Sequence, residues 1–290
     1  MRITNNVLVN NLKNSLSRNI RSMEKIQNQL ATGMRINKPS DDPTGIVESL
    51  RLSSRLRENA QFQANVQDAL GWLTTTDDTL GSLTNALQRV SELTIQAANG
   101  TLSSNDRAVV HAEVEQIVQE VGAIANTMHG DRYIFGGTNT TEEPYVAGEW
   151  HHNTTSIQYE IGVGVEIPIN LTAEEVFVKS GVFKALEDIV GHMDDNNAQA
   201  LSNEDLGALQ KAIDQVLASR AKVGASVNRL EMTKARLEEQ KVNFSNLQAE
   251  VDGVDSAWVI MQLKEQEAVY RASLAVGARV IMPTLVDFIR

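Results

Sequence analysis

From Leu206 to Phe244 the chain obeys one rule. Positions 206, 209, 213, 216, 220, 223, 227, 230, 234, 237, 241 and 244 step alternately by three and four, and nine of the twelve are apolar. A period of about 3.5 residues draws a narrow stripe down one side of a long helix, the pattern of a coiled-coil seam. A helix of a compact globule hides a broader face than this, so the stripe needs a partner along most of its length. The other three positions are Arg220, Lys234 and Lys241. A base buried without a partner is costly, so each is expected to meet an acid or to sit at the seam's edge.

The other end of the chain repeats the design. Positions 9, 12, 16, 19, 23, 26 and 30 read Val, Leu, Leu, Asn, Met, Ile and Leu, and the single polar residue, Asn19, can fix register. Gly33 ends this helix. A second helical stretch runs from Pro43 to about Ala98, with a seam of Val66, Leu70, Leu73, Asp77 and Leu80 continuing as Leu83, Leu87 and Val90. Asn99 and Gly100 stop it, Ser104 caps the next helix, and Val110, Val114, Ile117, Val121, Ile124 and Met128 form that helix's stripe. From Ser256 onward Trp258 and Met261 share a face with Ala268, Ala272 and Ala275, whose small side chains admit a close neighbour.

Between the helical arms the period changes to two. Residues 157, 159, 161, 163, 165, 167 and 169 are Ile, Tyr, Ile, Val, Val, Ile and Ile, which predicts a strand with Gly162 or Gly164 allowing a bend or bulge. "LTAEEVF" restarts helix with Thr172 as cap, and a short helix runs to about Met193. The fold class is therefore mainly α. Long N- and C-terminal helices form a coiled-coil or bundled rod that carries a small β-rich insertion.

Composition narrows the function. A formal charge of -11 repels phosphate backbones and anionic headgroups, so neither nucleic acid nor membrane insertion is expected. The apolar stretch "ASLAVGARVIMPTLV" contains Arg279 and Pro283 and falls short of the roughly 20 residues a spanning helix needs. The chain contains no cysteine, so it has no thiolate metal site. The N-terminus lacks the apolar run of a secretory signal.

Candidate catalytic groups reduce to structural ones. Asp41 and Asp42 precede Pro43, and Asp42 is the natural N-cap of the helix that Pro43 opens. His151 and His152 are neighbours in strand-like sequence and point to opposite faces, while His111, His129 and His192 are scattered. "NTT" occurs at Asn139 and Asn153 on expected turns. No nucleophile with a base at recognisable spacing lies in the insertion, so no enzyme, cofactor or metal site is expected.

"QNQLATGMRINKPSDDPTG" and "SRAKVGASVNRLE" resemble the N-terminal and C-terminal signatures of the flagellin superfamily, and "DRYIFGGTNTTEEPY" resembles its hook-associated branch. The resemblance implies a structural protein of the bacterial flagellum, outside the cell. It implies a homo-oligomeric ring between the first hook-associated protein and the flagellin filament, with a short filament-forming flagellin as the alternative. Export would use the flagellar type III apparatus and an export chaperone, without a cleaved signal peptide.

It further implies an inner layer from 1–35 and 255–290, a helical rod from 36–130 and 200–254, and a small outer domain from 131–199. Val9, Leu12, Leu16, Met23, Ile26 and Leu30, with Leu274, Val280, Leu285 and Phe288, are the expected assembly interface. Gly33, Arg35, Lys38, Asp41, Asp42 and Pro43 form a stiff joint, with the two bases pairing the two acids or acids of a neighbour.

Overall fold

The computed structural model describes residues 5–99, 104–146, 148–151, 153–195 and 197–281. It divides into two compact units, Met1–Glu58 with Gln240–Arg290, and Asn59–Glu239. The predominantly helical class expected from the seams is what the chain adopts, with α1 at Asn5–Thr32, α2 at Pro43–Ala98 and α3 at Ser104–Ala125. Six short strands follow: β1 (Met128–His129), β2 (Arg132–Tyr133), β3 (Tyr145–Val146), β4 (Glu149–Trp150), β5 (Gln158–Gly162) and β6 (Val165–Pro168). A π-helical turn at Glu174–Val178 precedes α4 (Val182–Asp194). Then α5 (Ala198–Ala200) and a second π turn lead into α6 (Leu206–Asp252), and α7 covers Ser256–Ile281.

In the second unit the seams close on one another. Leu80, Leu83, Leu87 and Val90 of α2, Val114 and Val121 of α3, and Leu209, Val216 and Leu230 of α6 are all fully buried in one core. The two polar interruptions of the long seams explain each other: Arg220 of α6 forks onto Asp77 of α2, Nε to Oδ1 at 2.9 Å and Nη2 to Oδ2 at 3.2 Å. The guanidinium lies over Gly81, where a Cβ would stand 3.4 Å from Nη2. Such a two-pronged pair has one geometry and so fixes the register of the helices. Lys234 is half-buried and Lys241 is exposed, at the seam's edge.

The insertion differs from the sequence reading in its details. The period-two run folds into a hairpin, β5 against antiparallel β6, with a register shift between Glu160 and Gly162 and Gly164 at φ +68°. Alternation passes through the turn, so Val163 keeps the parity of a core residue yet is 82% exposed. Met128 is not the last rung of the α3 stripe. The helix ends at Ala125 and Met128 opens β1, exposed. The Glu174–Val178 turn is π, marked by Lys179 N–H donating to the Glu174 carbonyl at 2.8 Å, and the Thr172 carbonyl rather than its side chain closes its start. Asn126 secures the insertion to α3 by exchanging two bonds with the Tyr145 backbone, at 2.7 and 3.0 Å. The Asn153 amide braces the "FGGTN" loop, accepting from Thr138 N–H at 2.9 Å and donating to the Thr138 hydroxyl at 2.6 Å.

Three of the five histidines serve as contacts between elements. His129 Nδ1 meets the Thr75 hydroxyl at 2.8 Å, His111 Nε2 lies 3.2 Å from Asp194, and His192 Nδ1 lies 2.8 Å from the buried Asp205 carboxylate. The hydrogen bond to Asp205 is the main cause that raises the His192 pKa, against some desolvation, with Asp188 and Glu204 adding negative potential. Because the folded protein holds this proton more tightly than the unfolded chain, the contact contributes fully below the ordinary imidazole value and fades as pH rises through the raised one. The thermal midpoint should therefore fall as pH rises from the ordinary imidazole value of about 6.5 through the raised one. In His192→Gln that part of the slope should vanish in scanning calorimetry.

Candidate assembly site

The joint between α1 and α2 is built by local capping. Gly33 adopts φ +69° and donates to the Gln29 carbonyl at 2.9 Å, the left-handed stop that lets the chain leave α1. Asp42 caps α2: Oδ1 accepts from Thr44 N–H at 3.2 Å, Gly45 N–H at 3.0 Å and the Thr44 hydroxyl at 2.9 Å. Asp41 Oδ2 accepts from the Asn37 and Lys38 amides at 3.2 and 3.1 Å. These bonds hold both carboxyls below the ordinary carboxylate range, led by Lys25 at Asp41 and by the Gly45 N–H at Asp42.

The charge pairing is partly a correction. Arg35 does reach Asp42, at 3.5 Å, but Asp41 takes Lys25 of α1 at 2.9 Å. Lys38 contributes its backbone N–H to Asp41 instead.

This joint is clasped to a second one. Arg35 N–H donates to the Asp252 carbonyl at 2.6 Å, Val254 N–H to the Gly33 carbonyl at 3.3 Å, and Met34 bridges Gly253 in antiparallel sense. The Arg35 guanidinium donates to the Val251 carbonyl at 2.8 Å. Inside, the Ser49 hydroxyl donates to the Asp252 carboxylate, which is buried, and Gln248 donates to Ser53 at 2.9 Å. The clasp therefore ties the α1–α2 elbow to the α6–α7 elbow. Ser49, Gln248, Asp252 and Gly253 were not anticipated. The Asp-Gly pair in "VDGVD" marks a break, but no local pattern says which distant turn it will meet.

Reversing Arg35 to Glu removes the guanidinium's bond to Val251 and sets a carboxylate against Asp42. We expect weaker assembly with little loss of helix, checked by circular dichroism beside a count of assembled particles; undiminished assembly would refute the joint's role.

Beyond the clasp, α1 lies along α7. Val9, Leu12, Leu16, Met23 and Leu30 are half-buried and Ile26 is buried. Leu12 covers Gly277, where a Cβ would come within 2.7 Å of its methyl, and the amide of Asn19 donates to Ser273 at 3.3 Å. The face of α7 turned to α1 thus includes Ser273 and Gly277. It is not the alanine face, since Ala268, Ala272 and Ala275 are exposed. With Trp258, Met261, Val269 and Val276, themselves 42–61% exposed, those alanines form an apolar stripe on the far side of α7. Leu274 is 46% exposed on the flank. The side chain of Val280, and Leu285 and Phe288, lie outside the described residues.

Two paired helical ends around a short insertion have a known counterpart. The bacterial flagellin N-terminal helical region matches residues 3–140, and the bacterial flagellin C-terminal helical region matches residues 206–286. The chain belongs to the flagellin family. Its members are structural parts of the bacterial flagellum, not enzymes. Flagellin FlaB2 of Treponema pallidum is 28% identical over 89% of this chain and 88% of its own, and the flagellin of Bacillus subtilis 27% identical over 96% of each.

Among solved structures, Bacillus cereus FlgL is 26% identical with a TM-score of 0.61, over 69% of this flagellin-family chain and 99% of that one. The flagellar junction protein FlgL from Legionella pneumophila shares the fold at 15% identity, with a TM-score of 0.59 over 72% and 100%. Among the described residues no helix is long and apolar enough to cross a membrane.

Proposed function

We propose that this flagellin-family protein is the junction subunit, forming a ring that joins the hook, through the first hook-associated protein, to the flagellin filament. The observation that carries this reading is the likeness to Bacillus cereus FlgL over 99% of that chain. The open apolar stripe of α7 supports it physically. An exposed strip of Trp, Met, Val and Ala, interrupted by Glu265, marks a surface that another chain covers. In this reading 1–35 and 255–290 form the inner layer, 36–130 and 200–254 the rod, and 131–199 the outer domain. The α1 seam, Leu274 and the final segment bury against neighbouring copies. The protein leaves the cell through the type III export apparatus, attended by a chaperone. A short filament-forming flagellin is the second reading, favoured by the Bacillus subtilis relative that matches over 96% of both chains.

Deleting the gene and imaging the cells separates the two. The junction reading expects hooks without filaments and flagellin lost to the medium. Long filaments grown from the purified protein alone would overturn it.

A further inference from the structure

Two exposed helical faces of the second unit carry opposite charges at the same repeat. On α6, Lys222, Arg229 and Arg236 recur every seven residues and all three are exposed. None of them has an ion-pair partner among the described residues. Between them Ala225, Asn228 and Met232 line a shallow groove together with Thr233, and Met232 is 75% exposed. On α3, Asp106, Glu113 and Glu120 also recur every seven residues. Val109, 65% exposed, and the exposed Gln116 lie between them. Glu113 holds Arg89 at 2.7 Å, and Arg89 also holds Glu92, so that trio still carries a net negative charge.

Residues seven apart on a helix lie on nearly the same line, about 10.5 Å from one another. The two stripes therefore match in length, in spacing and in sign, and each has an exposed apolar residue to bury. In a chain of net charge -11, a row of three unpaired bases around a methionine is complementary to the chain's own acidic helix face rather than to its general surface.

We propose that α3 of one copy docks on the α6 groove of the next, with Glu113 opposite Arg229 at the centre of the contact. The inference rests on the reading that the protein works as a multi-copy assembly. The two stripes are different surfaces, so the contact is heterologous. Each docked copy presents a free α6 on one side and a free α3 on the other, and the contact propagates into a ring or a helical array. The central pair is the same whether the helices run parallel or antiparallel. The flanking apolar contacts differ: Val109 faces Met232 if antiparallel and Ala225 if parallel.

The absence of cysteine makes the test clean. The bacterium that makes this protein would co-express full-length Val109→Cys with Met232→Cys, or with Ala225→Cys, and its isolated flagella would be oxidised. A mixed disulfide dimer is expected with one of the two combinations, and no dimer from any single variant alone. A second measurement uses charge. Arg229→Glu should cut the number of filament-bearing cells about tenfold, and adding Glu113→Arg should restore it to within about threefold.

Flagella that contain the protein but give no mixed dimer, or only dimers of like chains, overturn the docking while leaving the assembly reading intact. Charge reversal without effect in such flagella does the same. If the protein is absent from flagella, both readings fall.

Discussion

Gly253→Ala should undo the clasp between the two elbows. A Cβ at Gly253 would lie 2.2 Å from the Ala249 carbonyl oxygen and 3.0 Å from its carbon, both backbone atoms that cannot swing aside. That carbonyl also accepts the Gly253 N–H at 2.9 Å, so pushing it away breaks the last bond of α6. The displaced turn then loses the Arg35 N–H bond to Asp252 and the Val254 N–H bond to Gly33. Forcing a methyl into a site this full costs about 3 kcal/mol.

The expected result is rapid amide exchange at Arg35 and Val254, with new protease cleavage at 33–42 and 251–255. Gly224→Ala is the control. It sits inside α6 with nothing within 4 Å of the new methyl, and alanine there should stabilise by about 0.5–1 kcal/mol. If Gly253→Ala behaves like Gly224→Ala, the clasp does not depend on this close approach.

The contrast also marks what the sequence could and could not disclose. Elements fixed by local rules were legible: the stripe residues of α1, α2 and α6 follow from spacing, and Gly33 and Asp42 from the chemistry of helix ends. Asp77 and Arg220 were each visible as an interruption in a seam. That they face each other needs the register of two helices about 140 residues apart, which no single stripe contains.

Tertiary competition overrode local pattern elsewhere. The alternation from Ile157 to Ile169 continues unbroken through a turn, so parity could not reveal that Val163 points outward. Small residues invite close helix approach, and α7 offers two such faces. Gly277 with Ser273 took α1, while Ala268, Ala272 and Ala275 stayed open. The joint's acids were recognised, yet Asp41 took Lys25 from α1 in preference to its neighbours in the loop, because the end of that helix runs past it.

Phe177→Ala should have the largest effect on stability. Aromatic residues make up only 4% of the chain, and seven of the thirteen fall between Tyr133 and Phe183. Phe177 is 1% exposed among them. Its ring meets Phe135 edge-on at 5.1 Å, stacks on Trp150 at 5.4 Å and touches Phe183 at 5.9 Å. The strands around it are two to five residues long and pair only two by two, too few to hold a sheet by hydrogen bonds alone.

The ring packing must therefore do what the ladders cannot. Removing a buried Phe typically costs 3–5 kcal/mol, and here about 4 kcal/mol is expected because the ring is almost wholly buried and three other rings lose their contact with it. The loss should be local. Leu80, Leu87, Val114 and Leu230 share a core with the insertion's rings, but they lie on helices of 22 to 56 residues whose stripes also meet one another, so far-UV helix signal should persist. The near-UV signal should weaken and amide protection over 158–168 should disappear. A single cooperative transition in which helix and insertion melt together would contradict this, and would mean that the rod draws its order from the aromatic cluster rather than from its own stripes.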